Sequence, residues 1–236
     1  MKLLHFTSSS EAINNILTHG FVYVAHPTKV ASFVLPPLQS MEREPQQFGM
    51  ICFRKEMQGE MSQLHRTKFG GYAIAIDETW AISAGAQPVM YLQSTGATAH
   101  AFKRLLSTAA AGVAAEEKRF PGDSIRTKAY HNRAMASVFG APEWAALLEI
   151  YQFLAPASDE WEREWRIVNP YPIYSIPKTG PEAVAQVSPP LGWAKETNLL
   201  KLPRHAVLHL VAPAESAGEL RCSLPDNYVG IEIVEA

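Results

Sequence analysis

The 236-residue chain has only two cysteines, Cys52 and Cys222. They fit no zinc or redox spacing, and they exclude a disulfide framework. Charge is sparse: Asp, Glu, Lys and Arg make up 19% of residues, and the net charge is -2. That excludes a general drive toward nucleic acid or an anionic membrane, and leaves room only for local basic patches. No apolar run approaches the roughly 20 residues needed to span a bilayer. Met1-Lys2-Leu3-Leu4 turns polar too soon for a signal peptide. A cytoplasmic protein with no membrane partner is expected. Repeats at a solenoid period are missing, as are a P-loop, a GxGxxG fingerprint and a GxSxG elbow. The eight histidines show no HExxH or paired-ligand spacing, so no metal is expected.

What is present is a 47% apolar content, enough for a real core. Leu3 to Phe6 reads as a short strand. Ser8 with Glu11 forms a capping box for a helix whose apolar face is Ala12, Ile13, Ile16 and Leu17. Gly20 ends that helix. Further strands are expected at Phe21 to Ala25, Gly49 to Arg54, Gly71 to Ile76, Pro88 to Leu92, Glu164 to Asn169, Ala206 to Ala212 and Gly230 to Val234. Asp77 caps a short helix that ends near Gly85. Residues 26–48 and 177–198 read as loops. Alanine-rich Ala101 to Lys118, and Trp144, Leu147, Leu148, Tyr151 and Leu154 at helical spacing, predict a helical insertion at 97–155. Strands and helices mix without a regular repeat. The expectation is one α+β domain over 1–236.

Candidate chemistry is spread along the chain. His5 sits at the end of the first strand, beside Thr7 and Ser8. It can bond a ribose hydroxyl through one ring nitrogen while the fold holds the other. Its ordinary reading is a structural histidine bonded to backbone. Tyr72 follows Gly70-Gly71, where missing side chains can admit a ligand and the ring can stack on a flat heterocycle. Its ordinary reading is core packing at a strand start. Glu162 and Glu164 alternate with Arg163 and Trp165, so both carboxylates face one way and can support an oxocarbenium-like ribosyl centre. Arg166 shares their face, which makes a plain salt bridge the competing reading. His65, Arg66 and Lys68 form a basic group able to meet phosphate. Lys128, His131 and Arg133 form a second. Solvated surface charge is the ordinary reading of both.

Four ordered elements carry a resemblance. They are Leu4-His5-Phe6-Thr7 with Thr18-His19-Gly20-Phe21; Gly49-Met50-Ile51-Cys52-Phe53; Phe69-Gly70-Gly71-Tyr72 followed by Pro88-Val89-Met90-Tyr91; and Glu162-Arg163-Glu164-Trp165-Arg166-Ile167. Together the set resembles the AbiGi family of abortive phage-resistance proteins. Arg54-Lys55 departs from it, because relatives often carry a small acidic motif after the Cys-Phe strand. The first element also resembles the opening of ADP-ribosyltransferase-like domains of the DarT type. That second resemblance implies an ADP-ribosyltransferase-like split, twisted β-sheet and NAD as co-substrate. It implies His5 on the distal ribose with Thr7 as accessory, Tyr72 on nicotinamide, and Glu164 or Glu162 at the ribosyl centre. The acceptor would be nucleic acid or protein.

Two functions follow from these resemblances. One is an NAD-dependent ADP-ribosyltransferase-like toxin or phage-defence protein. The other is a non-catalytic abortive-infection or antitoxin component that binds a protein partner such as a cognate toxin. Facing or opposed placement of His5 and Glu164 distinguishes them.

Overall fold

The computed structural model describes residues 2–27, 47–56, 63–93, 95–102, 104, 150, 153–157, 163–168 and 199–235. The chain divides into two compact units. One comprises Met1–His26, Gln47–Val89 and Trp161–Ala236, the other Pro27–Gln46 and Met90–Glu160.

The first unit is built on a mixed sheet. Its elements are β1 (Lys2–Thr7), α1 (Ser10–His19), β2 (Phe21–Val22), β3 (Val24–Pro27), β4 (Gln47–Lys55), α2 (Gln63–Phe69), β5 (Tyr72–Asp77), α3 (Glu78–Ser83) and β6 (Gln87–Pro88). In the second unit, β7 (Met90–Leu92) pairs in parallel with β8 (Leu154–Pro156). The chain returns to the first unit as β9 (Glu164–Val168), β10 (Leu199–Leu200), β11 (Val207–Ala212), α4 (Ala214–Ser223) and β12 (Ile233–Glu235). The main sheet runs β12-β11-β5-β1-β4-β9-β6, with β3 also on β4. All its pairs along that path are antiparallel except β11 with β12. β2 and β10 form a separate small ribbon. The mixed α/β character expected from the sequence is therefore present.

Sequence explains the local pieces. β1 is apolar on both faces, with adjacent Leu3 and Leu4 buried, and α1 follows at once because Ser9 Oγ accepts from the Ala12 N–H at 3.1 Å. Ser9 is the cap, one residue later than the expected Ser8. Gly20 ends the helix with φ +102°, and its N–H donates to the Ile16 carbonyl at 2.8 Å. A side chain there would also strike the Leu200 carbonyl, 2.5 Å from an ideal Cβ, so only glycine fits. Asp77 caps α3 as expected, accepting from the Trp80 N–H at 3.0 Å.

Some elements differ from expectation. Pro88 to Leu92 is two strands in two sheets. Val89 N–H donates to the Glu164 carbonyl and Met90 N–H to the Phe153 carbonyl. The α2 and α4 helices were not expected. Of the helical insertion, residues 97–102 are helical, Leu154 lies in β8 where it pairs with Met90 rather than in a helix, and most of the rest lies outside the described residues. The loops expected at 26–48 and 177–198 fall largely or wholly outside them too. No helix among the described residues is long and apolar enough to cross a membrane.

Directly opposed residues on neighbouring strands share a face. The register therefore sorts the sheet into two faces. Leu3, Ile74, Ile76, Ile51, Phe53, Ile167 and Leu210 form one, and it carries Ile13 and Leu17 of α1 and Ala217 and Leu220 of α4 in a single core. Each fully buried aliphatic there contributes roughly 1.5–3 kcal/mol. The opposite face carries Lys2, Leu4, Arg54, Ala73, Ala75, His209 and Val211.

At one end of that second face, Lys2 Nζ lies 2.7 Å from Glu56 Oε2 and 3.4 Å from His209 Nε2. The lysine donates, so His209 Nε2 accepts and the ring is neutral. Burial, then the Lys2 charge, lowers the His209 pKa below 6.5, against a smaller opposing pull from Glu232 and Glu56. Unfolded histidine takes up its proton near pH 6.5, folded His209 only at lower pH. Stability is thus full above about pH 6.5 and falls as pH drops through the window below it. Urea unfolding between pH 7.5 and 5.5 should show the midpoint falling more steeply for wild type than for His209→Gln. Parallel slopes would remove His209 from the account.

Candidate functional site

The residues of the expected site come from three strands of one sheet, β1, β5 and β9, with β4 between β1 and β9. β1 pairs with β5 on one side, putting His5 opposite Ile74 and Thr7 opposite Tyr72. Thus His5, Thr7 and Tyr72 share the helix-packed face. His5 is partly buried there. Its Nδ1 donates to the Cys52 carbonyl at 2.9 Å, and its ring meets the edges of Phe21 and Phe53 at centroid distances of 4.8 and 5.7 Å. Such edge-to-face packing locks the imidazole between aromatic neighbours. Tyr72 packs against the same core.

Room beside Gly70-Gly71 is taken by the chain itself. Gly70 has φ +109°, and an ideal Cβ there would lie 2.2 Å from the Thr7 carbonyl oxygen. At Gly71 the nearest group is Pro213 Cγ, 3.0 Å from an ideal Cβ. The glycines thus let the end of β1 and the start of α4 approach the β5 entrance closely. That packing, rather than ligand access, explains the pair.

Glu164 belongs to the other face. β4 pairs Leu4 with Arg54, and β9 pairs Arg54 with Glu164, so all three side chains point the same way. His5, next to Leu4, points the opposite way. Arg166 Nε donates to Glu164 Oε1 at 2.9 Å and Nη2 to Oε2 at 2.8 Å. Alternation puts residues two apart on one face, which is why the two can pair. Their side chains are 11% and 13% exposed, so this is a largely buried, two-pronged ion pair. Arg54, also buried, stands across from Glu164. Glu162 lies outside the described residues. Arg163, just before β9, has φ +45°, and its carbonyl accepts from the Lys55 N–H at 3.2 Å.

The structure therefore brings His5, Thr7 and Tyr72 to one face and leaves Glu164 on the other. They do not converge on one cleft. The sequence reading missed Arg54 as a buried neighbour of this pair. Its signal was available in β4, where alternation places Cys52 and Arg54 together. On the helix-packed face, Lys55 joins three elements: its Nζ sits 2.8 Å from Glu78 Oε1 and 5.1 Å from the Trp165 ring centroid. Of the basic groups, Arg66 and Lys68 lie on α2, with Lys68 Nζ 4.9 Å from the Phe69 ring centroid. The His65 side chain and the Lys128, His131 and Arg133 group fall outside the described residues. No cluster of three His, Cys, Asp or Glu able to hold a metal occurs among the described residues.

A family model matches residues 45–185, more than half of the chain, under the description "Putative abortive phage resistance protein AbiGi, antitoxin". No curated protein and no solved structure matches. The AbiGi resemblance is thereby upheld, whereas the ADP-ribosyltransferase fold resemblance has no support. The toxin or transferase reading is corrected: the matched family is described as an antitoxin.

Two stability experiments test the local account. Glu164→Ala leaves a buried guanidinium uncompensated and should cost about 1–3 kcal/mol in urea unfolding. The apolar double variant Glu164→Leu/Arg166→Met should recover much of that loss. Strictly additive losses would argue against the pair. Gly70→Ala should cost roughly 1–3 kcal/mol, from the left-handed backbone and the Thr7 clash. A neutral result would mean that β1 and β5 do not approach as described.

Proposed function

The chain belongs to the AbiGi family, and from that premise we propose that it is the antitoxin of an abortive-infection pair. In this reading it is a non-catalytic cytoplasmic protein that binds a cognate toxin and holds it inactive. The observation that carries the reading is the antitoxin description of the family over residues 45–185.

The sheet geometry supports it. Ribosyl transfer needs its orienting and charge-stabilising groups around one reacting centre. Here His5 and Glu164 point from opposite faces. His5 is held by the Cys52 carbonyl and two aromatic edges, and both Glu164 oxygens are engaged by Arg166. These are roles in holding the sheet together. The NAD expectation depended on the transferase reading.

Neutralisation by binding works through mass action. A nanomolar complex corresponds to about -12 kcal/mol, within reach of an ordinary protein interface of roughly 1,600 Å². Inducing its cognate toxin alone should arrest growth, and co-inducing this chain should restore it. Continued arrest despite abundant, folded protein would contradict the antitoxin role.

A further inference from the structure

We propose that the outer edge of β12 and the acidic surface around it form a docking surface for a basic strand of the toxin. The identity of that occupant rests on the antitoxin reading above.

Three observations converge on this edge. β12 ends the main sheet, and no strand among the described residues pairs with its outer side. Leu210 N–H donates to the Glu232 carbonyl at 2.9 Å, and Leu210 stands opposite Ile233. In a parallel ladder this turns the peptide groups of Glu232 and Val234 toward β11, and those of Ile233 and Glu235 outward. An incoming strand therefore meets donors and acceptors that no described residue engages.

The C-terminal stretch that carries β12 is acidic and, in places, apolar at its surface. Val229 is 70% exposed, Leu208 44% and Val234 36%. Leu208 stands out because the β11 register shifts between Val207 and His209. From Ala206 to Ala236, Arg221 is the one Lys or Arg, against Glu215, Glu219, Asp226, Glu232 and Glu235. All five carboxylates are exposed, and among the described residues none sits in an ion pair.

The opposite edge of the sheet contrasts with this one. There β6 is two residues long and ends in Pro88, which has no N–H to offer. Charge decides between occupants at β12. A second copy would bring a further Glu232 and Glu235 to the same short edge, and this concentration of like charge opposes pairing. A basic strand gains attraction and a faster encounter. The surface also lies outside residues 45–185, the stretch matched by the family model. That position suits a feature that selects one toxin from others.

Two labelled strand peptides of about ten residues, one alternating Lys and Val and one Glu and Val, test the surface directly by fluorescence anisotropy. The Lys peptide should bind wild type, with affinity falling about tenfold or more from 50 to 500 mM salt. It should fail on Glu232→Lys/Glu235→Lys. Glu235→Pro, which removes an outward N–H and leaves the β11 ladder intact, should weaken it about fivefold or more. The Glu peptide should not bind. Thermal melts verify that each variant is folded. No binding of the Lys peptide, equal binding by the variants, or sedimentation of wild type as a dimer that the charge reversal alters would overturn the proposal. A growth-rescue assay with the same charge-reversed variant separates the two claims. Failure of wild type to rescue defeats the antitoxin reading, and equal rescue by wild type and variant defeats only this surface.

Discussion

Everything in the first unit depends on β1 standing between β4 and β5. It hydrogen-bonds to both, so strands from two distant stretches become neighbours only through residues 2–7. Its buried Leu3 and Leu4 face opposite ways, which makes β1 central in depth as well as in order. Gly70 is the concession that permits this, since only a missing side chain lets the Thr7 carbonyl come so near. The same constraint fixes the chemistry. Once Leu4 and Arg54 share a face, Glu164 joins them and His5 is turned away.

This arrangement also gives the family match a structural meaning. Residues 45–185 supply β4, β5, β6 and β9, but not the strand that joins β4 to β5. The matched stretch depends on the N-terminal β1 for a continuous sheet and on α1 and α4 for much of the helical cover of its core. Those flanking parts close the fold, and the C-terminal one also presents the acidic edge. Shared architecture and partner choice can thus reside in different segments of one unit.

Local signals in the sequence were legible where one residue sets one geometry. Gly20 stopped α1, Asp77 capped α3, and alternation through Glu164 and Arg166 foretold their pairing. The shift from Ser8 to Ser9 is a near miss among three adjacent serines that can all cap. Two helices were not legible. α2 follows a polar stretch, and α4 buries only Ala217 and Leu220, begins after Pro213 without a side-chain cap, and carries Gly218. Strand order was not legible either, because pairing between residues 4 and 54, or 54 and 164, leaves no local trace. That non-local order is what separated His5 from Glu164 and unmade a site that looked coherent along the chain.

As the antitoxin proposed above, this protein acts by occupying its partner rather than by turning over a substrate. Stoichiometry tests that most directly. Purified chain would be titrated into a fixed amount of active toxin, and residual toxin activity read after a set time. A binder removes activity in proportion to the amount added, reaching zero near one equivalent and not changing further with time. Complete inactivation by a small fraction of an equivalent, progressing with time, would mean catalysis and would contradict the account.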